Sequence, residues 1–372
     1  MLRRFFKSIV TIISLIAAGV LLFSVLTAYI SPERISVLAF MGYGFPLFWF
    51  VNFLLFAFWL VKRRWQFLIP LIAIIITWSQ WSHTFRWKTV EMDSTEMSRP
   101  LKVMSFNARM FDYYQWIGDN TNEKIFDLIR KENPDILCIQ EFVTSKYKES
   151  YDENYIQRRL NQLRYKHIEY HSGSNHRRNF GLVTFSKYPI VEKHSLKFEH
   201  SNNFSIYTDI KVDKKRIRIF NNHLESIKFN KQQLNFLDSL NYQDKKDRNE
   251  KIKEISHKLS TAFEHRATQA ETIGQYIANS PYPPIVCGDF NDTPVSYVYR
   301  KMRGKLKDAF VESGRGFGGT YNGPLPSFRI DFIFHDKQFN SYNFNRIKVD
   351  LSDHYPIITT IDLSPEGTEA NK

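Results

Sequence analysis

The sequence predicts an α/β domain of the α+β kind that follows an apolar membrane anchor. Residues 1 to about 82 are mostly apolar and aromatic, whereas the rest of the chain mixes polar and apolar residues. From residue 100 onward, short apolar runs of strand character occur with segments of helical periodicity, as in sheets covered by helices. Polar residues with catalytic potential follow several of these runs, where sites of layered α/β proteins gather.

Composition limits the possible classes only broadly. The chain has 372 residues, enough for one large domain and an appendage. Its formal net charge of +13 is spread over both parts, so it favours polyanions or anionic lipid only weakly. Cys138 and Cys287 lie in apolar strand-like runs, and we interpret them as buried hydrophobes rather than a disulfide or metal site.

Three apolar stretches, 8–30, 35–61 and the shorter 67–81, predict about three transmembrane helices within residues 1–83. A cleaved signal peptide would account for the first stretch alone. Basic residues precede the first stretch and separate the second from the third, and the positive-inside rule places both groups in the cytoplasm. These residues are Arg3, Arg4 and Lys7, and Lys62, Arg63 and Arg64.

With three crossings, the chain from about residue 90 faces the periplasm or exterior, and we expect a protein of the bacterial inner membrane. If the third stretch only lies on the surface, the sidedness reverses. We expect a linker at 84–99, a catalytic domain at 100–363 with a polar insertion at 228–262, and a tail at 364–372. The insertion is either a solvated helix or a cap that contacts the site or lipid. Besides the lipid bilayer, no obligate protein partner is predicted.

The soluble part begins with a strand at 101–106 that ends at Asn107. A helix at 123–132 follows, with apolar residues at helical spacing. The strand at 135–140 has an apolar centre and is expected to be buried on both faces. Glu141 ends this strand, and its carboxylate either meets a positive partner such as a divalent cation or lies at an exposed strand end.

Next along the chain, the polar loop 171–179 contains Arg178 and is either a solvated loop or a rim that contacts phosphate. A strand at 181–186 follows. A hairpin at 204–220 then leads to His223. A single histidine is more often structural than functional, so His223 alone carries little weight.

Residues 285–287 predict a short buried strand, and Gly288 gives the chain freedom to bend after it. Asp289 and Asn291 are two residues apart and project to the same face of an extended segment. A carboxylate beside a carboxamide suits a metal-dependent phosphate site. The alternative is an Asp-rich turn that caps the next helix.

Three further segments complete the candidate site. Tyr321 follows a glycine-rich loop and is either a pocket wall or an exposed tyrosine. A strand at 329–334 carries one inward carboxylate, Asp331, and the pair Asp353 and His354 precedes the last strand.

Together, these strand-end residues supply what phosphodiester cleavage requires. A carboxylate can hold Mg²⁺, which neutralises developing charge. An imidazole–carboxylate pair can move a proton, and amide and imidazole donors can hold phosphoryl oxygens. No Walker loop, serine elbow or Cys/His zinc cluster competes with this interpretation.

Six short motifs occur in one order along the chain. They are Phe106-Asn107, Gln140-Glu141, Asn222-His223-Leu224, Gly288-Asp289-Phe290-Asn291, Arg329-Ile330-Asp331-Phe332-Ile333 and Ser352-Asp353-His354-Tyr355-Pro356. In this order and spacing the chain resembles the endonuclease/exonuclease/phosphatase superfamily, the deoxyribonuclease-I-like metal-dependent phosphohydrolases, over about residues 100–363. The resemblance implies a four-layer α/β/β/α sandwich of two mainly antiparallel sheets and a Mg²⁺ or Mn²⁺ cofactor.

The resemblance also implies roles for individual residues. Glu141 would bind the metal with Asn107 beside it, and Asp353 would support the metal side. Asp289 would orient or deprotonate the attacking water, and Asn291 would hold a phosphate oxygen.

By the same resemblance, His223 would stabilise the transition state or protonate the leaving group, and His354 would pair with Asp331. The pairing predicts that His354 keeps its proton more readily than a free imidazole. Whether Asp289 or His354 is the general base stays open. Arg178 and Tyr321 join Asn291 and His223 in the expected substrate-binding set.

The expected function is therefore membrane-anchored, metal-dependent hydrolysis of a phosphate ester. The sequence shows no aromatic and basic insertion of the kind that grips a kinked duplex, and nucleic acid and phospholipid or inositol-phosphate headgroups stay open as substrates. The alternative function is a catalytically inactive binding or scaffold module on the same fold, although Glu141, Asp289 and His354 are all present. A signalling or transport role for the spans is disfavoured because they contain almost no ionisable residues.

Overall fold

The computed structural model describes residues 2–171, 177–199, 201–227, 233, 245–323 and 326–364. Most of the first half of the predicted insertion at 228–262, residues 172–176 of the predicted polar loop and the tail beyond residue 364 lie outside the described residues.

The predicted anchor region contains two long apolar helices, α1 (Leu2–Val25) and α2 (Val37–Val61). The predicted third span is instead a pair of short helices, α3 (Leu68–Ile76) and α4 (Trp78–Thr84), bent by 60°. By length and composition, the described residues contain two helices able to cross a membrane, or three crossings if the bent pair is one span.

The part of the chain that follows these helices contains two six-stranded sheets. The described strands are β1 (Pro100–Asn107), β2 (Ile136–Ser145), β3 (Tyr165–Tyr170), β4 (Arg178–Ser186), β5 (Ile190–Leu196), β6 (Ser205–Val212), β7 (Lys215–His223), β8 (Pro284–Asp289), β9 (Lys307–Asp308), β10 (Asp331–His335), β11 (Asn340–Arg346) and β12 (Ile357–Asp362). The first sheet has the order β11-β12-β1-β2-β4-β3 and the second β5-β6-β7-β8-β10-β9. Each is antiparallel except for one parallel pair, β1 with β2 and β7 with β8.

Helices cover the outer faces of both sheets. They are α5 (Thr121–Glu132), α6 (Glu153–Arg159), α7 (Lys245–Ala278) and α8 (Tyr297–Arg303), whereas the short α9 (Ala309–Ser313) packs Ala309 and Phe310 into the core between the sheets. Apolar residues of α5 and α6 pack on the first sheet, and those of α7 and α8 pack on the second. The predicted four-layer α/β/β/α class is confirmed. The described part of the predicted insertion, 245–262, is continuous with the helix that runs to residue 278, so the boundary at 262 falls inside α7.

The core between the sheets sets the position of the site. Leu101 and Val103 of β1 face Ile285 and Cys287 of β8 in one apolar cluster, because residues two apart in a strand share a face. Cys287 and Cys138 are buried free thiols in this cluster, as predicted.

Candidate active site

Four strands each bring a polar residue to the end of the apolar rows between the sheets. With a period of two, Asn107 continues the row of β1, His223 that of β7, Asp289 that of β8 and Asp331 that of β10. In the second sheet, His223 pairs with Asp289 across the parallel ladder, and Asp289 pairs with Asp331 across the antiparallel one. Three ionisable side chains are therefore adjacent because of strand register alone.

Glu141 reaches the same place through a β-bulge. We expected Glu141 at the end of its strand, but β2 continues to Ser145, and this expectation was wrong. The pairing of β2 with β4 slips between Ile139 and Phe142, and Glu141 has a positive φ of 51°. A bulge re-aims a side chain within a strand, and a non-glycine residue in this conformation marks strain that functional sites often contain. The Glu141 carboxylate consequently lies 3.2 Å from Asn107 Nδ2.

Asp289 lies at the centre of the cluster. Its Oδ2 accepts hydrogen bonds from Asn107 Nδ2 at 3.0 Å and from Asn291 Nδ2 at 3.3 Å. The Nε2 atoms of His223 and His354 are each 3.7 Å from the same oxygen. One buried carboxylate oxygen is thus surrounded by two amides and two imidazoles.

His354 and Asp331 form a buried pair, with Nδ1 and Oδ2 2.9 Å apart. The loop before β12 holds His354 there, since Ser352 Oγ donates to the Asn107 carbonyl at 2.8 Å and accepts from the His354 amide at 3.2 Å. Tyr321 pairs with His354 through its backbone and sets its ring edge-on at 5.7 Å.

The electrostatics of the cluster favour a protonated His354. Burial alone would lower the pKa of His354, but the charges of Asp331 and Asp289 and the hydrogen bond to Asp331 hold this pKa well above its ordinary value. Burial raises the pKa of Asp289, although the nearby His354 opposes the shift. These shifts favour the imidazolium form of His354, with Asp331 as its hydrogen-bonded partner.

Glu141 has an electrostatic need for a positive partner. Its side chain is 30% exposed, yet desolvation and the negative charge of Asp353 raise its pKa to about 7, and the hydrogen bond from Asn107 offsets only part of this rise. An acid with a pKa of about 7 is only partly ionised at neutral pH, and a bound cation would stabilise its charged form.

The donor set fits a hard divalent cation. Such ions prefer carboxylate and amide oxygens, which Glu141, Asp289 and Asn107 can offer within one cluster. The Asn107 oxygen accepts a hydrogen bond from the Arg109 amide at 3.1 Å, so this carboxamide must turn before its oxygen can face an ion. Asp353, the third predicted metal-side residue, pairs with Arg109 Nε at 3.4 Å.

A second set of potential ligands lies next to the first. One atom each from Asp289, Asp331 and His354 lies within 4.8 Å of the others. Asp331 Oδ1 is buried and has no hydrogen-bond partner among the described residues. However, a protonated His354 cannot act as a ligand through Nδ1 while it donates to Asp331. The oxygen-rich set around Glu141 is the better fit.

Of the two remaining predicted site residues, Asn291 lies inside the cluster and Arg178 lies beside it. The side-chain amide of Asn291 already donates to the Leu224 carbonyl at 3.1 Å and to Asp289. Arg178 starts β4 rather than lying in a loop, and its Nη1 donates to the Tyr114 hydroxyl at 3.1 Å. It lines a groove of about 740 Å³ that also contacts Glu141 and His223.

Sequence reasoning missed an aromatic and basic rim beside this groove. The Arg109 guanidinium stacks over Trp116 at 4.6 Å, and Arg178 lies over Tyr114 at 5.8 Å. Trp116 is 51% exposed. The dense aromatic run at 111–117 was the available signal, but the rim also needs Arg178, which is distant in sequence.

Comparison with known proteins identifies two matching family models. A model described as the Endonuclease/Exonuclease/phosphatase family matches residues 104–354. A second, described as a domain of unknown function, matches residues 7–84. A search of curated proteins found no match.

Solved structures share the fold at low sequence identity. An endonuclease/exonuclease/phosphatase from Bacteroides vulgatus is 17% identical with a TM-score of 0.51, and the match covers 72% of this chain and 100% of that one. A protein of the same description from Beutenbergia cavernae is 15% identical with a TM-score of 0.50, over 72% of each chain. At sequence identities this low, the similarity shows a shared fold and nothing more specific.

Proposed function

The chain belongs to the Endonuclease/Exonuclease/phosphatase family of metal-dependent phosphoester hydrolases, and from this premise we propose that it is a membrane-anchored enzyme that hydrolyses phosphodiester or phosphomonoester bonds with Mg²⁺ or Mn²⁺. One observation carries the proposal. Glu141, Asp289 and the His354–Asp331 pair, from four separate segments, meet at one end of the two sheets. An inactive scaffold has no need for such a buried arrangement of charges.

We assign proton handling to Asp289 and charge stabilisation to His354. Asp289 Oδ2 lies among hydrogen-bond donors and is a suitable acceptor for a proton of the attacking water. His354, held as an imidazolium by Asp331, donates to a phosphoryl oxygen as negative charge develops there. This favours Asp289 over His354 as the base. We assign His223, whose Nε2 is 3.7 Å from the same Asp289 oxygen, to the leaving group.

Glu141 would hold the cation, with the Asn107 oxygen after its carboxamide turns and with support from Asp353. When bound, Mg²⁺ or Mn²⁺ supplies Lewis-acid stabilisation of the phosphoryl oxygens. Arg178 and Tyr321 flank the cluster and are proposed to contact the substrate. Asn291 is proposed to do so after its side-chain amide gives up one of its two hydrogen bonds, to the Leu224 carbonyl or to Asp289.

We also propose that residues 1–83 anchor the enzyme with the catalytic domain, 100–363, on the non-cytoplasmic side. The segment between α1 and α2 contacts this domain: Thr27 Oγ1 donates to the Val295 carbonyl at 3.0 Å, and Arg300 stacks over Tyr29 at 4.5 Å. The basic group at 62–64 lies at the other end of α2, about 37 Å away for a helix of 25 residues. With this group in the cytoplasm, the catalytic domain is outside, as in a bacterial periplasm.

The test is turnover by the full chain in detergent. Bis(p-nitrophenyl) phosphate and p-nitrophenyl phosphate are the probes, with Mg²⁺, Mn²⁺ or EDTA. Glu141→Ala and His354→Ala should each abolish metal-dependent turnover. The matched controls Glu149→Ala and His194→Ala, at exposed positions, should retain it. Turnover that survives EDTA, or that is equal in all four variants, contradicts the proposal, and metal-independent binding without turnover would favour the scaffold.

A further inference from the structure

The first turns of α2 pack against the domain that contains the candidate site. Phe40 and Tyr43 are three residues apart and therefore share one face of this helix. Both contact the Phe263 ring of α7, with ring centroids 5.0 Å and 5.8 Å apart. Tyr43 also meets Phe328, in the segment before β10, edge-on at 5.1 Å. The ring of Tyr43 is thus fixed by packing contacts that do not involve its hydroxyl group.

The Tyr43 hydroxyl reaches the backbone of the segment that follows Asp289. It donates to the Asn291 carbonyl at 3.4 Å, and the Arg266 guanidinium donates to the same carbonyl at 2.6 Å. A carbonyl oxygen has two lone pairs, so it can accept both bonds. Arg266 is fully buried, and its Nη1 also donates to the Glu225 carbonyl at 3.3 Å. One donor from the anchor and one from α7 therefore hold the same carbonyl group.

The amide of the same residue orients the carboxylate that we assign to proton handling. The Asn291 amide donates to Asp289 Oδ1 at 2.8 Å. The backbone of Asn291 is left-handed, with a φ of 52°, which is uncommon for residues other than glycine. Because the amide and the carbonyl flank one α-carbon, contacts that fix the carbonyl also fix the direction of the amide. The anchor is therefore connected to the Asp289 carboxylate through a single residue.

We propose that Tyr43 is a positioning residue for catalysis, so that the membrane anchor holds the Asp289 carboxylate in its reactive geometry as well as attaching the enzyme to the bilayer. The inference rests on the proposed hydrolase function and deepens it, because Asp289 is the group assigned to the attacking water. Small displacements of such a group lower the rate, and hydrogen bonds from the surrounding residues prevent them.

The anchor offers a matched contact at a different place on the same segment. Thr27 Oγ1 donates to the Val295 carbonyl at 3.0 Å, further along the chain than Asn291. This bond joins the anchor to the domain but does not end on the residue that binds Asp289. A general docking role would make the Thr27 and Tyr43 hydroxyls equivalent, whereas positioning makes only Tyr43 matter for the rate.

The kinetic test uses the full chain in detergent with saturating Mn²⁺ and bis(p-nitrophenyl) phosphate. Tyr43→Phe removes the hydroxyl and keeps the ring, and it should lower kcat about three- to tenfold. KM should stay at the parent value, because the contact acts on the group that handles the water rather than on the proposed substrate contacts. Thr27→Val, which has nearly the same shape as the parent side chain, should retain the parent kcat. Replacement of Tyr43 by p-aminophenylalanine restores a donor and should recover most of the lost kcat.

Hydrogen–deuterium exchange with mass spectrometry separates positioning from a general loss of folding. In Tyr43→Phe, peptides that contain Asn291 should exchange faster, because the bond from the Asn291 amide to Asp289 Oδ1 is weakened. Peptides from β1 and β2 of the other sheet should exchange at the parent rate. In Thr27→Val, the peptides that contain Asn291 should also exchange as in the parent.

Four results would overturn the inference. They are a parental kcat in Tyr43→Phe, an increase in exchange spread over the whole domain, an equal loss of kcat in Thr27→Val, and a p-aminophenylalanine variant no faster than Tyr43→Phe. In each case an active parent leaves the hydrolase function intact, and only the role of Tyr43 is refuted. Absence of turnover in the parent refutes the hydrolase function itself and this inference with it.

Discussion

Replacing Asp331 by Asn removes the charge that holds His354 in its proposed state while keeping the side-chain shape. The perturbation is local, because the two side chains are 2.9 Å apart and expose only 2% and 7% of their surface. An asparagine presents either an NH₂ group or a weaker oxygen to Nδ1. The variant therefore loses both the charge and the strong hydrogen bond.

The expected loss is large. Loss of one preorganised donor to a developing negative charge costs about 10²–10³-fold in rate, which corresponds to about 2.7–4 kcal/mol. Asp331 raises the pKa of His354, so removing it lowers that pKa, and the imidazolium is lost at a lower pH. The alkaline limb of the rate profile should consequently move to lower pH.

The assay is kcat/KM for bis(p-nitrophenyl) phosphate with saturating metal, measured over the pH range in which histidine titrates. Asp336→Asn, just beyond the other end of β10, is the matched control and should behave like the parent. An Asp331→Asn profile that superimposes on the parent, in rate and in limb position, would show that the pair does not set the protonation of His354.

Three further predictions concern the metal, the core and the backbone. Glu141→Gln should weaken Mg²⁺ activation. Because the pKa of Glu141 is about 7, the apparent metal affinity of the parent should fall about tenfold for each pH unit below 7. A metal affinity that does not change with pH contradicts this prediction. In the parent, the buried Arg218 guanidinium donates to Asp209 at 2.6 and 2.7 Å. Asp209→Asn leaves Arg218 without this counter-ion and should lower the free energy of unfolding by about 3–5 kcal/mol. An unchanged thermal midpoint for the catalytic domain refutes this prediction. Gly288→Ala should abolish turnover and lower the thermal midpoint, because φ is +140° and a Cβ would lie 2.0 Å from the Asn222 carbonyl oxygen; a fully active, stable variant excludes that clash.

The positions of the candidate site residues were largely predictable because they follow from strand periodicity. Apolar rows ending in Asn107, Asp289 and Asp331 are visible in the sequence, and the same period of two carries them to one edge of the core. The bulge at Glu141 was not predictable, since the residues around Gln140 and Glu141 give no sign of where the strand register slips.

Contacts between the anchor and the catalytic domain could not be predicted from the sequence. Tyr43 and Asn291 are 248 residues apart, and no local pattern connects them. The bend between α3 and α4 was missed for a different reason. Their apolar composition is that of a span, and hydropathy measures composition rather than helix continuity.

The most direct test of the metal centre is anomalous diffraction from crystals of the full chain grown with Mn²⁺. We predict one strong peak in direct contact with the Glu141 carboxylate, with the Asn107 carboxamide turned so that its oxygen faces the ion. A peak confined to the Asp289–Asp331–His354 group, or no peak at an Mn²⁺ concentration that supports turnover, would contradict the assignment of Glu141 as the residue that holds the cation.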